Sequence, residues 1–539
     1  ATMAPEILSR QASPVDGLLS SLKSTRAAVR ISALIQIAKL DPSRAAQFQL
    51  DLQVVELLRD SDAGVQAQAL LTLSKQGQRG ANHCHQIVKK ISHPAREVQL
   101  AALQALGDLG PLAASDATTK DVLSVVVGHK DPAMEAAACL AMGKMKVTSA
   151  ADKIVAQLQS PYVEVVQAAC AGLSCMDRRV DAVGKMLLHD DSAVKASAAA
   201  ALLGMTKAED FLPELTKLLG DPNVSLRHSV ARTMRSLTAS LAPQKPALSS
   251  LLKGGDPYVA AAAAYVLGAL GSSAADQAQA LEDLLSNQVE DTSASVLSAT
   301  GAISPLPAAL RKPVVAAIEA LGLAGIQTAG SRLLELLKAS DAEVRAAAAE
   351  ALGRLRFEAA APTLSLGLKD MSTPVVLACC GALGAMPSSQ AAADVAQLLE
   401  DPHPAVRARA ADALAEMGDT QAFVESIAAL LNDKAPPVQV AGLRALVTCG
   451  ERGQLHAADV CRLAAEGDDR TRVAALQTLS QLGERGAAFA TELEPLLDDT
   501  LPEICLAARR TLEYFKTGGD AVASLPSLPK VQDVPALEP

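Results

Sequence analysis

Three adjacent residues, His83-Cys84-His85, are the first place to look for metal chemistry, because imidazole and thiolate both suit zinc. Residues two apart on a helix point to different sides, and no acid or second Cys/His pair stands nearby in the sequence. The triplet therefore reads as a polar loop entering a helix. His93, His129, His189 and His403 fall near expected turns, where an imidazole is solvated or caps a helix. No G-x-x-x-x-G-K-[ST] phosphate loop, no G-x-S-x-G elbow, no His-Glu dipeptide and no zinc-ligand set occurs. The chain thus offers no catalytic residue, no metal site and no cofactor site by motif. Its nine cysteines contain no C-x-x-C pair, and most replace alanine within helical phrases, where a thiol acts as a small hydrophobe. They read as reduced thiols of an intracellular protein.

The residues that could bind a partner are arginines and two tyrosines. Arg227, Arg345, Arg407, Arg409, Arg444, Arg472, Arg509 and Arg510 recur at one or two per thirty residues or so, on the helices that follow an internal turn. Stacked at that period they could form a basic stripe for an acidic or phosphorylated protein segment. The alternative is that they serve neighbouring aspartates and helix C-termini. Tyr162 and Tyr258 each sit in a Pro-Tyr-Val turn and are either contact residues or rings packed on the next turn.

What would position these groups is one recurring phrase. It reads Asp341-Ala342-Glu343-Val344-Arg345-Ala346-Ala347-Ala348-Ala349-Glu350-Ala351-Leu352-Gly353, with variants starting at Asp62, Asp191 and His403. Its valine-like anchor recurs at Val29, Val65, Val98, Met134, Val163, Val194, Val224, Val259, Val296, Val344, Val375, Val406, Val438, Val473 and Ile504, mostly about thirty residues apart. A fixed period of that size marks a solenoid of stacked units. Val344, Ala348 and Leu352 lie four apart on one helical face. Asp62, Asp131, Asp191, Asp221, Asp256, Asp341 and Asp401 stand before these helices and are expected to cap them, several followed by a proline at the first helical position. Glycines such as Gly204, Gly353 and Gly418 are expected to end them, and Gly77, Gly450 and Gly483 to open the turn into the next unit.

The rhythm slips between about 271 and 325, where Pro305, Pro307 and Pro313 cluster and where Val314 or Val315 could anchor an extra, shortened unit. Three segments follow: an N-terminal extension over 1–14, a solenoid over 15–516, and a proline-rich extended tail over 517–539.

Half of the residues are apolar, aromatics make up 2% and tryptophan is absent, so thin, tightly stacked helical layers are expected. The net charge of −10 argues against nucleic-acid binding, which usually shows a basic footprint. No run of eighteen apolar residues lacks charges and breakers, so no membrane span is expected. An alanine at position 1 fits either loss of an initiator methionine or a cleaved targeting segment; the expectation is a cytoplasmic protein, or one of an organelle stroma or matrix.

The helical pair, the Asp at the internal turn, the Val-Arg pair and the Ala-Leu-Gly ending resemble HEAT repeats, in the compact form found in phycobiliprotein lyases and many scaffold proteins. The resemblance covers roughly residues 15–516. It implies an all-α fold, a right-handed α-solenoid of about 15–16 two-helix HEAT-like repeats. It also implies an Asp–Arg ladder between neighbours, with Asp62, Asp191, Asp341, Arg30, Arg345 and Arg407 as candidates, interrupted at Gln66, Gln99, Lys195 and Gln439. The functional expectation is a non-enzymatic, protein-binding scaffold or adaptor in a larger assembly. A HEAT-like chromophore lyase or its associated subunit is the alternative, and the shortage of aromatics counts against it.

Overall fold

The computed structural model describes residues 14–40, 48–115, 117–286, 295–297, 303–305, 310, 312–386, 389–418, 420–499 and 501–517. The proposed tail and most of the N-terminal extension lie outside them. Helix Pro14–Leu22 opens the described chain and helix Pro502–Thr517 closes it.

Each repeat is a short first helix followed by a longer second one. The first is typically one or two turns finished by a 3₁₀ turn, as in Leu50–Glu56 continued by Leu57–Arg59. The second runs from 11 residues in Ser192–Leu202 to 16 in Pro502–Thr517. Fifteen such second helices occur among the described residues. They form two compact units, one over residues 1–248 with 293–306, the other over 249–292 and 307–539.

Within each unit every second helix stacks on the next, and small residues set the spacing. In the N-terminal unit a Cβ on Gly143 would lie 2.3 Å from Cα of Gly172 in the following helix. In the C-terminal unit a Cβ on Gly322 would meet Ala351 at 2.9 Å, and one on Gly353 would meet Ala382 at 2.7 Å. Glycine and alanine are needed here because backbone meets backbone. The other side of each second helix buries its anchor, Val344, with Ala348 and Leu352 one and two turns on. Gly353 is therefore a packing residue. Its helix continues to Leu355, and Arg356 takes the positive φ of 49° that ends it. Gly418, at φ 74°, does terminate its helix, and Gly77, Gly450 and Gly483 all have positive φ.

Three anchors shift by two residues. Val163 is the first residue of its helix and 37% exposed, while Val165 fills the buried slot. Leu226 replaces Val224, and Thr471 replaces Val473 in the same way. Alanine-rich helices carry apolar residues on several faces, so a valine alone does not fix the phase.

The slip around 271–325 is an insertion inside one repeat. First helix Ala278–Leu284 and second helix Pro313–Leu323 belong to a single unit anchored by Val315. Between them the chain makes two short strands, Ser295–Leu297 and Ile303–Pro305, paired antiparallel with Val296 opposite Ser304. The expectation of no sheet is corrected by this one ladder, and Val296 is a strand residue rather than a repeat anchor.

Candidate functional site

The internal turn of each repeat carries two acceptors. The residue just before the second helix caps it. Asp62 accepts from the Val65 N–H at 2.9 Å, Asp131 from Ala133 at 3.0 Å, Asp191 from Ala193 at 2.7 Å, Asp256 from Tyr258 at 2.8 Å and Asp341 from Glu343 at 2.9 Å. Asp221 and Asp401 do not cap. Asn223 and His403 take that place, and the two aspartates stand two residues earlier, each accepting the N–H of the capping residue at 2.8 Å. This earlier position recurs. Asp60, Asp370, Asp433 and Asp499 hold it, as do His93, His129 and His189 through Nδ1 and Ser160 through its hydroxyl. The turn histidines are thus acceptors that shape the turn.

The earlier position also receives the arginine ladder. Arg345 forks onto Asp370 and Arg407 onto Asp433, with two N–H···O bonds of 2.7–2.9 Å each. Arg30 donates from Nη2 to Asp60 at 2.8 Å and its Nε lies within ion-pair distance of the other oxygen, and Arg472 pairs with Asp499. Each arginine comes from the second helix of the repeat before its aspartate. Arg345 also donates to the carbonyls of Ala339 and Ser340 in its own turn, and Arg407 to those of Asp401 and Pro402. Gln66 and Gln439 keep only the carbonyl contact, to Asp60 and Asp433. The ladder acids are therefore not Asp62 and Asp191, whose carboxylates are turned to the helix N-terminus. Asp341 does join a neighbour, accepting from Lys312.

Electrostatics follow the geometry. The hydrogen bonds from Arg345 hold the Asp370 carboxyl below its ordinary value. Burial pushes Asp433 up, but the bonds from Arg407 outweigh it and the net direction is down.

The candidate arginines therefore do different things. Arg345, Arg407 and Arg472 sit in the ladder. Arg444 donates to buried Asp412 from Nη2 at 2.6 Å and from Nε at 3.1 Å. Burial pushes the Asp412 carboxyl up against the pull of that arginine. Arg227 is buried and donates to the Asp221 carbonyl at 3.0 Å. Arg409 lies 3.5 Å from Glu416, with its guanidinium over Gly381, where a Cβ would come within 2.5 Å of Nη2. Only Arg509 and Arg510 of this set are exposed. A continuous free stripe is not what these residues form, because a half-buried guanidinium needs a local counter-charge. Tyr162 is 50% exposed at a helix start in the N-terminal unit, and Tyr258 is half-buried in the C-terminal one. His83 lies 3.5 Å from Asp51, which also pairs with Arg79. The acid that the sequence placed nowhere near His83 comes from the preceding first helix.

One open groove lies on the second helices of the C-terminal unit. It spans three successive helices, Ala342–Leu355, Thr373–Gly384 and Pro404–Met417, with a volume of about 690 Å³. Gly353, Gly381 and Ala382 form its floor, Pro374 and Leu377 its apolar wall, and Glu350, Arg354 and Arg409 its charged rim. Glu350 and Arg354 pair at 3.1 Å across one turn. A shallower continuation of about 250 Å³ shares Glu350 and Pro374 and reaches Glu319. Leu377 and Gly381 escaped the sequence reading. Their only signal was a large apolar residue where the sister helices carry Ala346 and Ala408, and a glycine where they carry Glu350 and Asp412.

A bare helical stack with such a groove is a protein-binding α-solenoid. The HEAT-repeat family model matches residues 85–174, 314–376 and 361–438. A crystal structure of importin beta is similar in fold, with 13% identity over 93% of this chain and 78% of that one and a TM-score of 0.56. Yeast importin-beta (Kap95p) aligns over 94% of this chain and 90% of that one, with 13% identity and a TM-score of 0.49. No curated protein matches in sequence. HEAT repeats are thus present over the residues that the family model matches, and the likeness to importin beta concerns the fold alone.

Proposed function

We propose that this protein is a non-catalytic scaffold or adaptor, a subunit of a larger assembly, which grips a partner protein along the groove of its C-terminal unit. The observation that carries this reading is the groove itself: a Gly/Ala floor from two neighbouring helices, one apolar wall and an arginine-bearing rim, the whole lined by three consecutive repeats. Such a surface suits an extended or helical segment that lays small apolar side chains on the floor. Arg354, 42% exposed, and Arg409 at the same rim favour an acidic or phosphorylated segment. A chromophore lyase would want an enclosed pocket with aromatic walls. The groove is open and no aromatic lines it, so nothing favours that alternative. Nine cysteines outside any disulfide, six of them buried, support residence in a reducing compartment such as the cytoplasm.

The test is co-purification from the native source, with wild-type chain and an Arg354→Glu/Leu377→Asp variant compared by mass spectrometry. Both positions lie on the groove and outside the ladder, and the Glu350–Arg354 pair that is lost is exposed, so the melting curve should shift only slightly. A partner held by wild type and lost by the variant is the expected result. A partner recovered at equal yield from both would end the groove reading. Arg407 and Arg444 are unsuited to this test, because reversing either charge breaks an internal pair.

A further inference from the structure

The ladder is built from two positions, and at Asp221 and Asp401 the acceptor stands without an arginine; at Asp221 the arginine position is Lys195, and at Asp401 it is apolar. Asp401 holds the acceptor position in its turn, its carboxylate taking the His403 N–H at 2.8 Å. Asp60, Asp370, Asp433 and Asp499 do the same with the N–H two residues on. Each of those four then presents its carboxylate to an arginine of the preceding repeat. In the repeat before Asp401 the arginine position is Val376, at the same distance from its helix start as Arg345 and Arg407 in theirs. Valine ends at Cβ methyls and reaches nothing there. Among the described residues no cation stands within ion-pair distance of the Asp401 carboxylate. Arg407 hydrogen-bonds the Asp401 carbonyl and feels the Asp401 charge only as a neighbour, its fork being committed to Asp433.

The missing side chain leaves space. A notch of about 440 Å³ opens at this turn, lined by Asp370, Val376, Asp401, Pro402, His403 and Val406 among others. Asp370 is occupied by Arg345, so Asp401 is the carboxylate that remains to be met. The walls from Val376, Pro402 and Val406 are apolar and suit the methylene stem of a long cationic side chain. In the same repeat as Val376, Met371, the residue after Asp370, is 103% exposed and Leu366 of the first helix is 73% exposed, large apolar groups of a kind that marks contact surfaces.

We infer that the Asp401 notch is a receptor for an arginine side chain supplied by a partner protein, completing from outside the rung that Val376 leaves open. Guanidinium is the ligand chemistry because four sister carboxylates in the same local geometry already bind it. Apolar residues flanking that arginine would cover Met371 and Leu366. This site is on the turn edge and is separate from the groove, so it stands or falls without it.

The experiment uses the full chain and a fluorescein-labelled pentapeptide with a central arginine between leucines, read by fluorescence anisotropy. The same peptide with citrulline keeps shape and loses charge. Wild type should bind the arginine peptide about tenfold more tightly than the citrulline one, as expected for a charge-assisted, two-bond contact. Asp401→Asn, which keeps an acceptor for the His403 N–H, should lose that preference. Val376→Arg should lose it too, because its new side chain fills the notch, and it should also raise the melting temperature. Asp433→Asn should leave peptide binding unchanged, since its position is already filled. Equal binding of the two peptides to wild type, no binding of either, or full arginine preference in both Asp401→Asn and Val376→Arg would overturn the inference.

Discussion

In the N-terminal unit one rung, Arg30 on Asp60, stands at the start and Asp221 at the end, but between them the acceptor two residues before the capping position is His93, His129, Ser160 or His189, and the position that could carry a ladder arginine is Gln66, Gln99, Glu135 or Val166. In the C-terminal unit the same two positions hold Asp370, Asp433 and Asp499 against Arg345, Arg407 and Arg472. Both units nevertheless make the same turn and the same stack of second helices. The acceptor is what the fold requires, because it satisfies a backbone N–H that the turn leaves open. The charge across to the next repeat is an addition. Where it exists it ties neighbours together, and where it is absent most turns keep a neutral acceptor, with Asp221 and Asp401 the charged exceptions.

The strongest way to break this comparison is at Arg444, which serves a buried acid rather than a turn. Arg444→Ala leaves Asp412 buried without its counter-charge, and the expected loss is about 3–5 kcal/mol in denaturant melts. Asp412 is already raised by burial. Protonating it removes the need for a partner, so the loss should be smaller at pH 4 than at pH 8. An equal loss at both values would show that Arg444 acts by packing alone.

The rungs come next. Arg407→Gln should cost about 1.5–3 kcal/mol, the range for hydrogen bonds to a charged group, reduced by the carbonyl contact that glutamine retains as Gln439 does. The pH dependence has the same sign as that of Arg444→Ala, because the loss shrinks as the carboxylate protonates, but it sets in at lower pH because these carboxyls are depressed rather than raised. Asp370 and Asp433 have folded values below the ordinary one. A depressed carboxyl contributes stability that is complete above its unfolded value of about 3.9 and lost as pH falls through the folded value. Acidification below about pH 4 should therefore weaken the C-terminal unit, and Asp370→Asn/Asp433→Asn should flatten that slope. An unchanged acid slope in the double variant would place the sensitivity elsewhere.

Much of this was legible from the sequence, and the parts that were not have a common cause. The period, the helical pairs and the caps at Asp62, Asp131, Asp191, Asp256 and Asp341 are local, set by residues within four positions of each other. The ladder acids are not local. Arg345 and Asp370 are 25 residues apart, Arg407 and Asp433 are 26, and only the stacking of one repeat on the next decides which aspartate meets the fork. For that reason Asp62 and Asp341 looked equivalent to Asp60 and Asp370. The groove was hidden for a similar reason: its floor is a juxtaposition of Gly353, Gly381 and Ala382 from two helices, and glycine reads as punctuation until a neighbour is seen above it. The insertion between Leu284 and Pro313 was read as an added unit because Val296 matches the anchor while its backbone is extended.

The smallest effect, and the one that sharpens the comparison most, comes from building a rung in the N-terminal unit. Gln66 stands at the arginine position and His93 at the acceptor position of the next turn. Gln66 now accepts from Lys90 Nζ at 2.8 Å, and Lys90 is lowered first by burial and then by the nearby charge of Arg59. Gln66→Arg alone therefore adds a third cation to a basic corner and removes an acceptor, and it should destabilise. His93→Asp alone keeps an acceptor for the Ala95 N–H and brings a negative charge toward Lys90, so it should be near neutral or slightly stabilising. Together they place a fork opposite a carboxylate, as in Arg345 and Asp370. The double variant should exceed the sum of the two single ones by about 0.5–1 kcal/mol, the scale of a partly exposed pair. A coupling energy of zero in that cycle would mean that the N-terminal turns are shaped differently from the C-terminal ones, and that the two units share less than their common acceptor position suggests.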